Sequence, residues 1–516
     1  MIAAERATFA GRWRDAVASA GDRPFLVWED ATGRVTAWTY SEFDALVARV
    51  AGSLADRGVG AGDSVHLALA NSPAFVAVWL AATQLGAWIV PSDPRATAPE
   101  IAGHVGRTRP AVGLCARTRA GAYREGAGST TDVVEVDEDD VEVGALAGRP
   151  AEWPPAERPA PRDTAAVMFT SGTTSAPKGV VVTQANYAFA GDVMAATAGL
   201  DATDRQLVVL PMFHANAQYY SFASAIAVGA SVALMHGFSA SGFLSQAARH
   251  GATHASLFAA PMRMILARGA TPEPGLVLRH CWYAQNVTDD QYEELSRLLR
   301  CRPRQLYGMT ETIPAVLTNR ATDPVPQSMG VPSLGCEVDL RVPDGDGDVV
   351  DGEIGEVAVR GVRGITLFAG YLADPETTAR SFRAGWFRTG DLAHRDAHGR
   401  FYFAGRRSDV LKVAGENVSV VEVEAVLAEH ESVLEAAVVG EPDEIRDEVP
   451  VGYVVQQPGR PPIDVAELHR WCEARLSKVK RPVRIEVVDE LPRTSVGKIR
   501  KFMLRTDDRS SSRSGN

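Results

Sequence analysis

A short loop about a third of the way along the chain carries residue types that suit phosphate binding. The apolar run 165–169 leads into Thr170, Ser171, Gly172, Thr173 and Thr174, and Lys178 follows after Pro177. The hydroxyls are neutral donors, Gly172 and Gly179 let backbone amides approach an anion, and the lysine supplies a mobile positive charge. The order is not that of a Walker A loop, and the β-branched run 180–183 predicts a strand after it. The pattern indicates a polyphosphate-binding loop, with a plain turn as the alternative.

Further short motifs carry groups that could act on a bound nucleotide. They are Tyr-Gly-Met-Thr-Glu-Thr at 307–312, Gly-Asp at 390–391, Gly-Arg at 405–406 and Gly-Lys at 497–498. Each alone also fits an ordinary structural role: a strand end, a turn, a solvated loop or a basic tail. Their joint occurrence favours function.

Composition excludes several classes of protein. The chain has 516 residues, of which 46% are hydrophobic and 23% charged, and its net charge is −11. It is long enough for two or three domains, and its negative charge argues against general nucleic-acid binding. The apolar run 74–90 is interrupted by Gln84 and followed by Pro91, which predicts a buried helix and no membrane span. The scattered cysteines predict neither a disulfide framework nor a zinc site, and a cytoplasmic location is expected because 1–21 lacks a secretory pattern.

Alternating strands and helices must position these motifs. Apolar spacing predicts a helix that begins at Thr39 or Ser41 and ends near Gly58. The strand–helix–strand pattern at 64–70, 74–85 and 88–90 is typical of a parallel sheet covered by helices. Further strands are predicted at 206–211, 230–234 and 255–258, a helix at 289–299, and a strand-rich subdomain at 335–403. From 405 onward, helices at 420–429 and 464–476 alternate with strands at 434–439 and 451–455.

Taken together, the motifs resemble the signature of the ANL superfamily of adenylate-forming enzymes. The matching segments are 169–179, 307–312, 385–391, 405–406 with 415–417, and 497–499, and they follow the order of the superfamily. Thr39–Glu42 and the segment 67–94 extend the similarity over nearly the whole chain. Residues 307–313, 415–419 and 445–448 look closest to the crotonobetaine/carnitine-CoA ligase type.

The resemblance implies an α/β fold with a large N-terminal adenylate-forming domain and a smaller, mobile α+β C-terminal domain. The first would span 1–404, with two helix-covered sheets and a small β subdomain, and the second 405–506, before a disordered tail at 507–516. The C-terminal domain would rotate about Ser408, to present either Lys498 or the segment around Gly415.

The resemblance also implies ATP, Mg²⁺ and CoA as ligands and a role for each motif. Residues 170–174 and Lys178 would hold the β- and γ-phosphates, Thr310 would contact the α-phosphate, and Glu311 would ligate Mg²⁺. Tyr307 would stack on adenine, Asp391 would accept the ribose hydroxyls, and Arg406 would reach the ribose or phosphate. Lys498 would be the catalytic lysine of adenylation, and His214 would gate the channels for acid and thiol.

The acid-binding pocket departs from the pattern of the superfamily. Where many relatives have a glycine-rich loop, this chain has Gln285 and Asn286, and a buried amide needs hydrogen-bond partners. A polar or aromatic acid is therefore expected rather than a long aliphatic one. The other predicted pocket residues are Phe213, Tyr219, Tyr220, Met309 and Ile313.

The predicted function is ATP- and Mg²⁺-dependent activation of a small acid to an adenylate, followed by transfer to CoA. A carrier-protein loader, or a diazotase that activates nitrite for an aryl amine, keeps the first half-reaction and changes the second. A catalytically silent nucleotide-binding scaffold is the alternative from another class, and retention of Lys178, Glu311, Asp391 and Lys498 argues against it. Neither nucleic acid nor membrane is expected as a partner, and a homodimer is left open.

Overall fold

The computed structural model describes residues 6–151, 158–170, 177–414, 416–443, 445–493 and 499–504. The chain divides into two compact units, one formed by Met1–Val338 with Val359–Phe387 and the other by Asp339–Ala358 with Arg388–Asn516. The predicted α/β class, with a large N-terminal and a smaller C-terminal part, is confirmed. The predicted boundary at 404/405 stays a prediction, and the predicted tail at 507–516 lies outside the described residues.

In the first 150 residues, the helices and strands predicted between 39 and 90 are present, and further elements lie on either side of them. The helices are α1 (Phe9–Ala20), α2 (Tyr40–Asp56), α3 (Pro73–Gln84), α4 (Ala98–Thr108) and α5 (Ala120–Ala127). The strands are β1 (Pro24–Glu29), β2 (Val35–Thr39), β3 (Ser64–Ala68), β4 (Trp88–Pro91), β5 (Val112–Ala116) and β6 (Asp132–Val136). Of the two predicted N-caps of α2, Thr39 and Ser41, the structure has Thr39, in a capping box with Glu42 that contributes about 1 kcal/mol to helix stability.

The next stretch contains most of the predicted site. Its strands are β7 (Thr164–Thr170), β8 (Lys178–Thr183), β9 (Arg205–Val208), β10 (Ser231–Met235), β11 (His254–Phe258), β12 (His280–Ala284), β13 (Arg304–Tyr307), β14 (Leu317–Thr318) and β15 (Ser328–Pro332). Its helices are α6 (Gln184–Ala198), α7 (Ser224–Val228), α8 (Phe243–Arg249), α9 (Ala259–Ala267) and α10 (Asp289–Leu299). A π-helical segment, Asn216–Ala223, precedes α7 and was not predicted.

The remaining elements are β16 (Glu337–Arg341), β17 (Gly355–Arg360), β18 (Gly370–Tyr371), α11 (Pro375–Arg380), β19 (Phe382–Arg383), β20 (Trp386–Arg395), β21 (Phe401–Arg406), β22 (Val410–Val413), β23 (Glu416–Ser419), α12 (Val420–Ala428), β24 (Val433–Asp443), β25 (Asp447–Gln456), α13 (Val465–Glu473) and β26 (Arg484–Val488). The predominance of strands between 335 and 403 agrees with the predicted β-rich region.

Two helix-covered sheets organise the first unit, as predicted. In one, the strand order is β18-β8-β7-β4-β3-β5-β6, and β3 to β6 run parallel. In the other, the order is β15-β14-β13-β12-β11-β9-β10-β1-β2, with parallel pairing from β13 to β1. The helix α3 is buried all round, as expected for a helix without a polar face. Carboxyl ends of parallel strands meet at one edge of such sheets, where functional loops collect.

In the second unit, β20 and β21 pair antiparallel, and a separate sheet has the order β23-β22-β25-β24 with β26 beside β25. Buried aliphatic residues of β22, β25, α12 and α13 form its core.

Candidate active site

The predicted phosphate loop closes an antiparallel hairpin. Strands β7 and β8 pair through Phe169 with Gly179 and Thr170 with Lys178. The last pair, Thr170 with Lys178, therefore borders the loop on both sides. Residues 171–174 of the prediction lie outside the described residues. A Cβ on Gly179 would come within 3.0 Å of Val167 Cγ1 and 3.2 Å of Leu372 Cβ. Close packing therefore also accounts for glycine at 179.

Lys178 and Glu311 both contact Tyr371, a residue for which the sequence predicts no role. The Lys178 ammonium lies 5.0 Å from the centre of the Tyr371 ring. The Tyr371 hydroxyl donates a hydrogen bond of 3.0 Å to Glu311 Oε1, and Glu311 is 4% exposed. Burial, followed by the charge of Glu311, raises the pKa of the Tyr371 hydroxyl, which keeps it a donor. One aromatic side chain thus contacts two of the predicted phosphate- and metal-binding residues.

The turn that carries Thr310 and Glu311 is held by its own side chains. Thr312 Oγ1 accepts a hydrogen bond from Met309 N and donates one to Met309 O, both 3.0 Å long. Ile313 then has φ 73° and ψ −78° and is fully buried. Positive φ is costly for a β-branched residue and persists only where the surroundings impose it, as they often do at functional sites.

His214 and Phe213, predicted at the acid pocket, follow β9 and are half-buried. His214 Nδ1 accepts a 3.3 Å hydrogen bond from Asn216 N, and its ring packs edge-on against Phe258 at 5.9 Å. Tyr219 is fully buried and packs edge-on against Tyr187. Its hydroxyl contacts Met168 Sδ at 3.7 Å, which puts it in the interior beside β7.

Tyr220, another predicted pocket residue, lies beside the predicted nucleotide motif. A Cβ on Gly308 would lie 3.0 Å from the Tyr220 hydroxyl and 3.0 Å from Ala315 Cα. Burial raises the pKa of Tyr220, so the hydroxyl remains neutral. The absence of a side chain at 308 thus lets an aromatic hydroxyl reach the backbone next to Tyr307.

The two amides that were expected to be buried in the pocket are exposed. Gln285 follows β12 with φ 74°, and both Gln285 and Asn286 belong to the exposed surface. Asn286 Oδ1 accepts a 2.7 Å hydrogen bond from Gln305 Nε2, and Asn286 O accepts one of 2.7 Å from Arg263. Their role in acid selection stays a prediction, but burial of the amides no longer supports it.

Asp391 and Arg406 belong to the second unit and pair with each other. They are partners in the β20–β21 ladder, and Arg406 Nε lies 3.0 Å from Asp391 Oδ1. The preceding turn is held by Glu356, which was not predicted: its Oε1 accepts from Gly390 N at 2.9 Å and its Oε2 from Arg388 Nε at 3.0 Å. Arg407 also donates to Glu356 Oε2, at 3.3 Å. A buried carboxylate therefore holds the backbone just before Asp391 and contacts the side chain of Arg407, which follows Arg406.

The predicted catalytic lysine, Lys498, and Gly415 lie outside the described residues. Ser408 falls in the turn Arg407–Asp409, of which the structure describes the backbone at 408. Just after the loop that contains Lys498, Lys501 Nζ lies 2.7 Å from Glu424 Oε1 and 4.0 Å from Asp409 Oδ2. This contact links the end of that loop to the turn at Ser408 within the second unit.

Within the described ranges, groups of three or more His, Cys, Asp or Glu side chains suited to hold a metal ion are absent. Magnesium sites on nucleotides commonly use one or two carboxylates and the phosphates, so a single Glu311 is compatible with that type of site. Among the helices that the structure describes, none is long and apolar enough to cross a membrane.

Comparison with known proteins identifies the family. The AMP-binding enzyme family matches residues 13–372, and the AMP-binding enzyme C-terminal domain matches residues 422–498. The chain is 31% identical over 507 residues to the crotonobetaine/carnitine–CoA ligase of Citrobacter koseri, covering 96% of this chain and 98% of that protein.

Solved structures agree with this similarity. ATP-bound MatB from Rhodopseudomonas palustris is 26% identical with a TM-score of 0.87, covering 96% of this chain and 98% of that one. The o-succinylbenzoate CoA synthetase of Bacillus subtilis, in complex with its acyl-adenylate intermediate, is 27% identical with a TM-score of 0.84, covering 96% and 97%. The chain therefore belongs to the AMP-binding enzyme family, within the ANL superfamily of adenylate-forming ligases.

Proposed function

We propose that the protein activates a small carboxylic acid with ATP and Mg²⁺ and transfers the acyl group to CoA. The observation that carries the proposal is the contact of Tyr371 with both Lys178 and Glu311, because it brings a phosphate-binding cation and a cation-binding carboxylate together. The relatives support the same chemistry: the Citrobacter koseri protein is named a CoA ligase, and the Bacillus subtilis enzyme has also been solved with ATP and magnesium ion.

In the first step, a carboxylate oxygen forms a bond to the α-phosphorus of ATP, and the bond to the β-phosphate oxygen breaks, releasing pyrophosphate. In the second, the thiol sulfur of CoA forms a bond to the acyl carbon as its proton leaves, and AMP departs with the oxygen that came from the acid. Negative charge grows on phosphate oxygens in the first step, so fixed donors and positive charges are the groups that lower its barrier.

The residues of this chain divide that work. Lys178 and the loop 170–174 bind the β- and γ-phosphates, and Thr310 donates to the α-phosphate. Tyr307 stacks on adenine, while Asp391 accepts the ribose hydroxyls beside Arg406. Lys498 bridges the acid oxygen and the α-phosphate, and His214 separates the acid and thiol paths.

The carboxylate of Glu311 fits a magnesium ion. It is a hard oxygen ligand, and it is buried within the turn that also carries Thr310. When bound there, Mg²⁺ would supply positive charge against the phosphate oxygens. The protein's own part is to hold the carboxylate in one orientation before ATP arrives.

The acid is proposed to be aromatic or polar. Because Gln285 and Asn286 are exposed, the proposal rests on aromatic rings near the predicted pocket. Phe258 packs against His214, and Tyr220 lies beside Gly308. Because ATP and CoA are cytosolic metabolites, we place the proposed activity in the cytoplasm.

The test is pyrophosphate release with ATP and Mg²⁺ over a panel of aromatic, polar and aliphatic acids and nitrite, each with and without CoA. An aromatic or polar acid should respond and consume CoA in equal amount. Lys498→Ala is the control and should lose about 10²- to 10³-fold in rate. A response to nitrite alone, or one that CoA leaves unchanged, would reject CoA ligation while keeping adenylation. Best turnover with long aliphatic acids would reject the proposed acid class.

A further inference from the structure

The backbone around Tyr371 is tied to the strand that leaves the phosphate loop. Gly370 and Tyr371 of β18 pair antiparallel with Val181 and Val180 of β8. On either side, Leu372 N donates to Gly179 O at 2.7 Å, and Ala369 N donates to Val181 O at 2.9 Å. This pairing sets the position of the Tyr371 ring relative to Lys178.

The same segment also holds Glu311 at two points. Phe368 N donates a 3.0 Å hydrogen bond to the Glu311 backbone oxygen, and the Tyr371 hydroxyl donates to the carboxylate. Backbone and side chain of Glu311 are therefore both fixed by residues 368–371.

The Tyr371 side chain has little freedom of its own. The residue is 8% exposed, its ring packs edge-on against Phe368 at 5.0 Å, and its backbone N–H donates to Thr378 Oγ1 at 2.8 Å. Because the ring contacts the Lys178 ammonium and its hydroxyl contacts the Glu311 carboxylate, a rigid Tyr371 fixes the position of these two groups relative to each other. Hydrogen bonds to ligating carboxylates commonly control metal affinity in this way.

We propose that Tyr371 is a positioning residue that orients Glu311 for Mg²⁺ and aligns it with Lys178 on the phosphates of ATP. The proposal rests on the proposed function, since it assumes that Glu311 binds the cation. It predicts that the hydroxyl governs how much Mg²⁺ is needed to bind ATP, whereas the ring governs the alignment of Lys178.

The experiment measures the increase in unfolding temperature produced by ATP as Mg²⁺ is titrated, relative to the ligand-free temperature of each variant. Tyr371→Phe removes only the hydroxyl and should raise the Mg²⁺ concentration for half-maximal effect about tenfold. Tyr402→Phe is the matched control, because the Tyr402 hydroxyl also donates to a carboxylate, that of Asp396, at 3.1 Å. It should behave as the unmodified protein.

Glu311→Gln tests the same contact from the other side. It should raise the Mg²⁺ concentration for half-maximal effect, and adding Tyr371→Phe should raise it no further, because the hydrogen bond acts only through the carboxylate. A Mg²⁺ requirement in Tyr371→Phe that equals that of the unmodified protein would overturn the proposal, as would an unchanged requirement in Glu311→Gln. The binding readout needs no acid. A shifted Mg²⁺ requirement without pyrophosphate release from any acid would therefore support the positioning role and reject the proposed function.

Discussion

The Asp391 carboxylate and the Arg406 guanidinium lie 3.0 Å apart across neighbouring antiparallel strands, and the Asp391 side chain is almost completely buried. The sequence predicts a nucleotide contact for each of these residues, but no contact between them. Their contact means that Arg406 orients the carboxylate that is proposed to bind the ribose. Either residue can then affect ATP binding through the other.

Asp391→Asn should raise the KM for ATP about 10- to 100-fold, because hydrogen bonds to a charged acceptor are lost. The measurement is pyrophosphate release at varied ATP and, in parallel, at varied 2′-deoxy-ATP and 3′-deoxy-ATP. The unmodified protein should lose affinity for the deoxy nucleotides, and Asp391→Asn should lose little more. Equal sensitivity of both proteins to the missing hydroxyls would contradict the assignment.

Arg107 contacts both ends of the predicted phosphate loop. Its guanidinium carbon lies 4.9 Å from the centre of the Phe169 ring, and it donates to the Pro177 carbonyl. Arg107→Ala should raise the KM for ATP several-fold with little change in unfolding temperature, since the residue is exposed. The KM for ATP of Arg107→Lys should fall between those of the unmodified protein and Arg107→Ala, because lysine keeps the charge but not the planar contact.

The control for that series is Arg119→Ala. Arg119 is an exposed arginine that donates to the backbone carbonyls of Arg95 and Ala96. Its removal changes net charge equally, and the KM for ATP should stay the same. A similar loss in Arg107→Ala and Arg119→Ala would mean that overall charge, and not the loop contact, is responsible.

The buried His66 and the half-buried His104 should make the protein less stable in mild acid. Ser92 Oγ lies 2.8 Å from both His66 Nε2 and His104 Nδ1, and His66 Nδ1 lies 2.6 Å from the Tyr123 hydroxyl. Burial lowers the pKa of His66 from 6.5 to about 3 and that of His104 from 6.5 to about 4. Between pH 6.5 and about 4, the unfolded chain therefore binds protons that the folded protein does not, so stability falls as pH falls.

The unfolding temperature should accordingly decrease from about pH 7 to about pH 5, and His104→Gln should reduce that decrease by removing one titrating group. Gln can still hydrogen-bond with Ser92. The exposed residue His398 provides the comparison, and His398→Gln should leave the pH dependence unaltered. An identical pH dependence in His104→Gln and the unmodified protein would show that His104 is not part of the effect.

Glu356 should matter for both stability and nucleotide binding. It is 2% exposed and accepts hydrogen bonds from Gly390 N and from Arg388 and Arg407. Glu356→Gln removes the carboxylate that pairs with the largely buried Arg388, which should destabilise the protein by about 3–5 kcal/mol and raise the KM for ATP. Asp351→Asn breaks the half-exposed contact with Arg395 and should cost less than about 1 kcal/mol. Comparable thermal shifts for the two variants would argue against this ranking.

Local signals predicted the elements well and the long-range contacts poorly. A cap at Thr39 or Ser41 predicted the start of α2, and the helix Asp289–Leu299 has the predicted bounds, because caps and apolar spacing are local. Tyr371 escaped notice because it belongs to a strand of two residues and meets Glu311 sixty positions away in the sequence. The spacing of neighbouring residues cannot predict a contact at that separation.

The acid pocket shows the same limit. The position of Gln285 and Asn286 in a motif predicts that they are buried, but burial depends on which surfaces pack together. Both are exposed, and the Asn286 side chain accepts a hydrogen bond from Gln305. The π-helical turn Asn216–Ala223 also left no distinct signal, since its residues would equally suit an ordinary helix.

The most direct measurement of the central claim follows the oxygen of the acid. An acid that the panel identifies is labelled with ¹⁸O in both carboxylate positions and converted with ATP, Mg²⁺ and CoA, and the AMP is analysed by mass spectrometry. Adenylate formation predicts one ¹⁸O atom in each AMP, because the carboxylate oxygen attacks the α-phosphorus and stays with it. Unlabelled AMP, or label found instead in inorganic phosphate, would contradict the account.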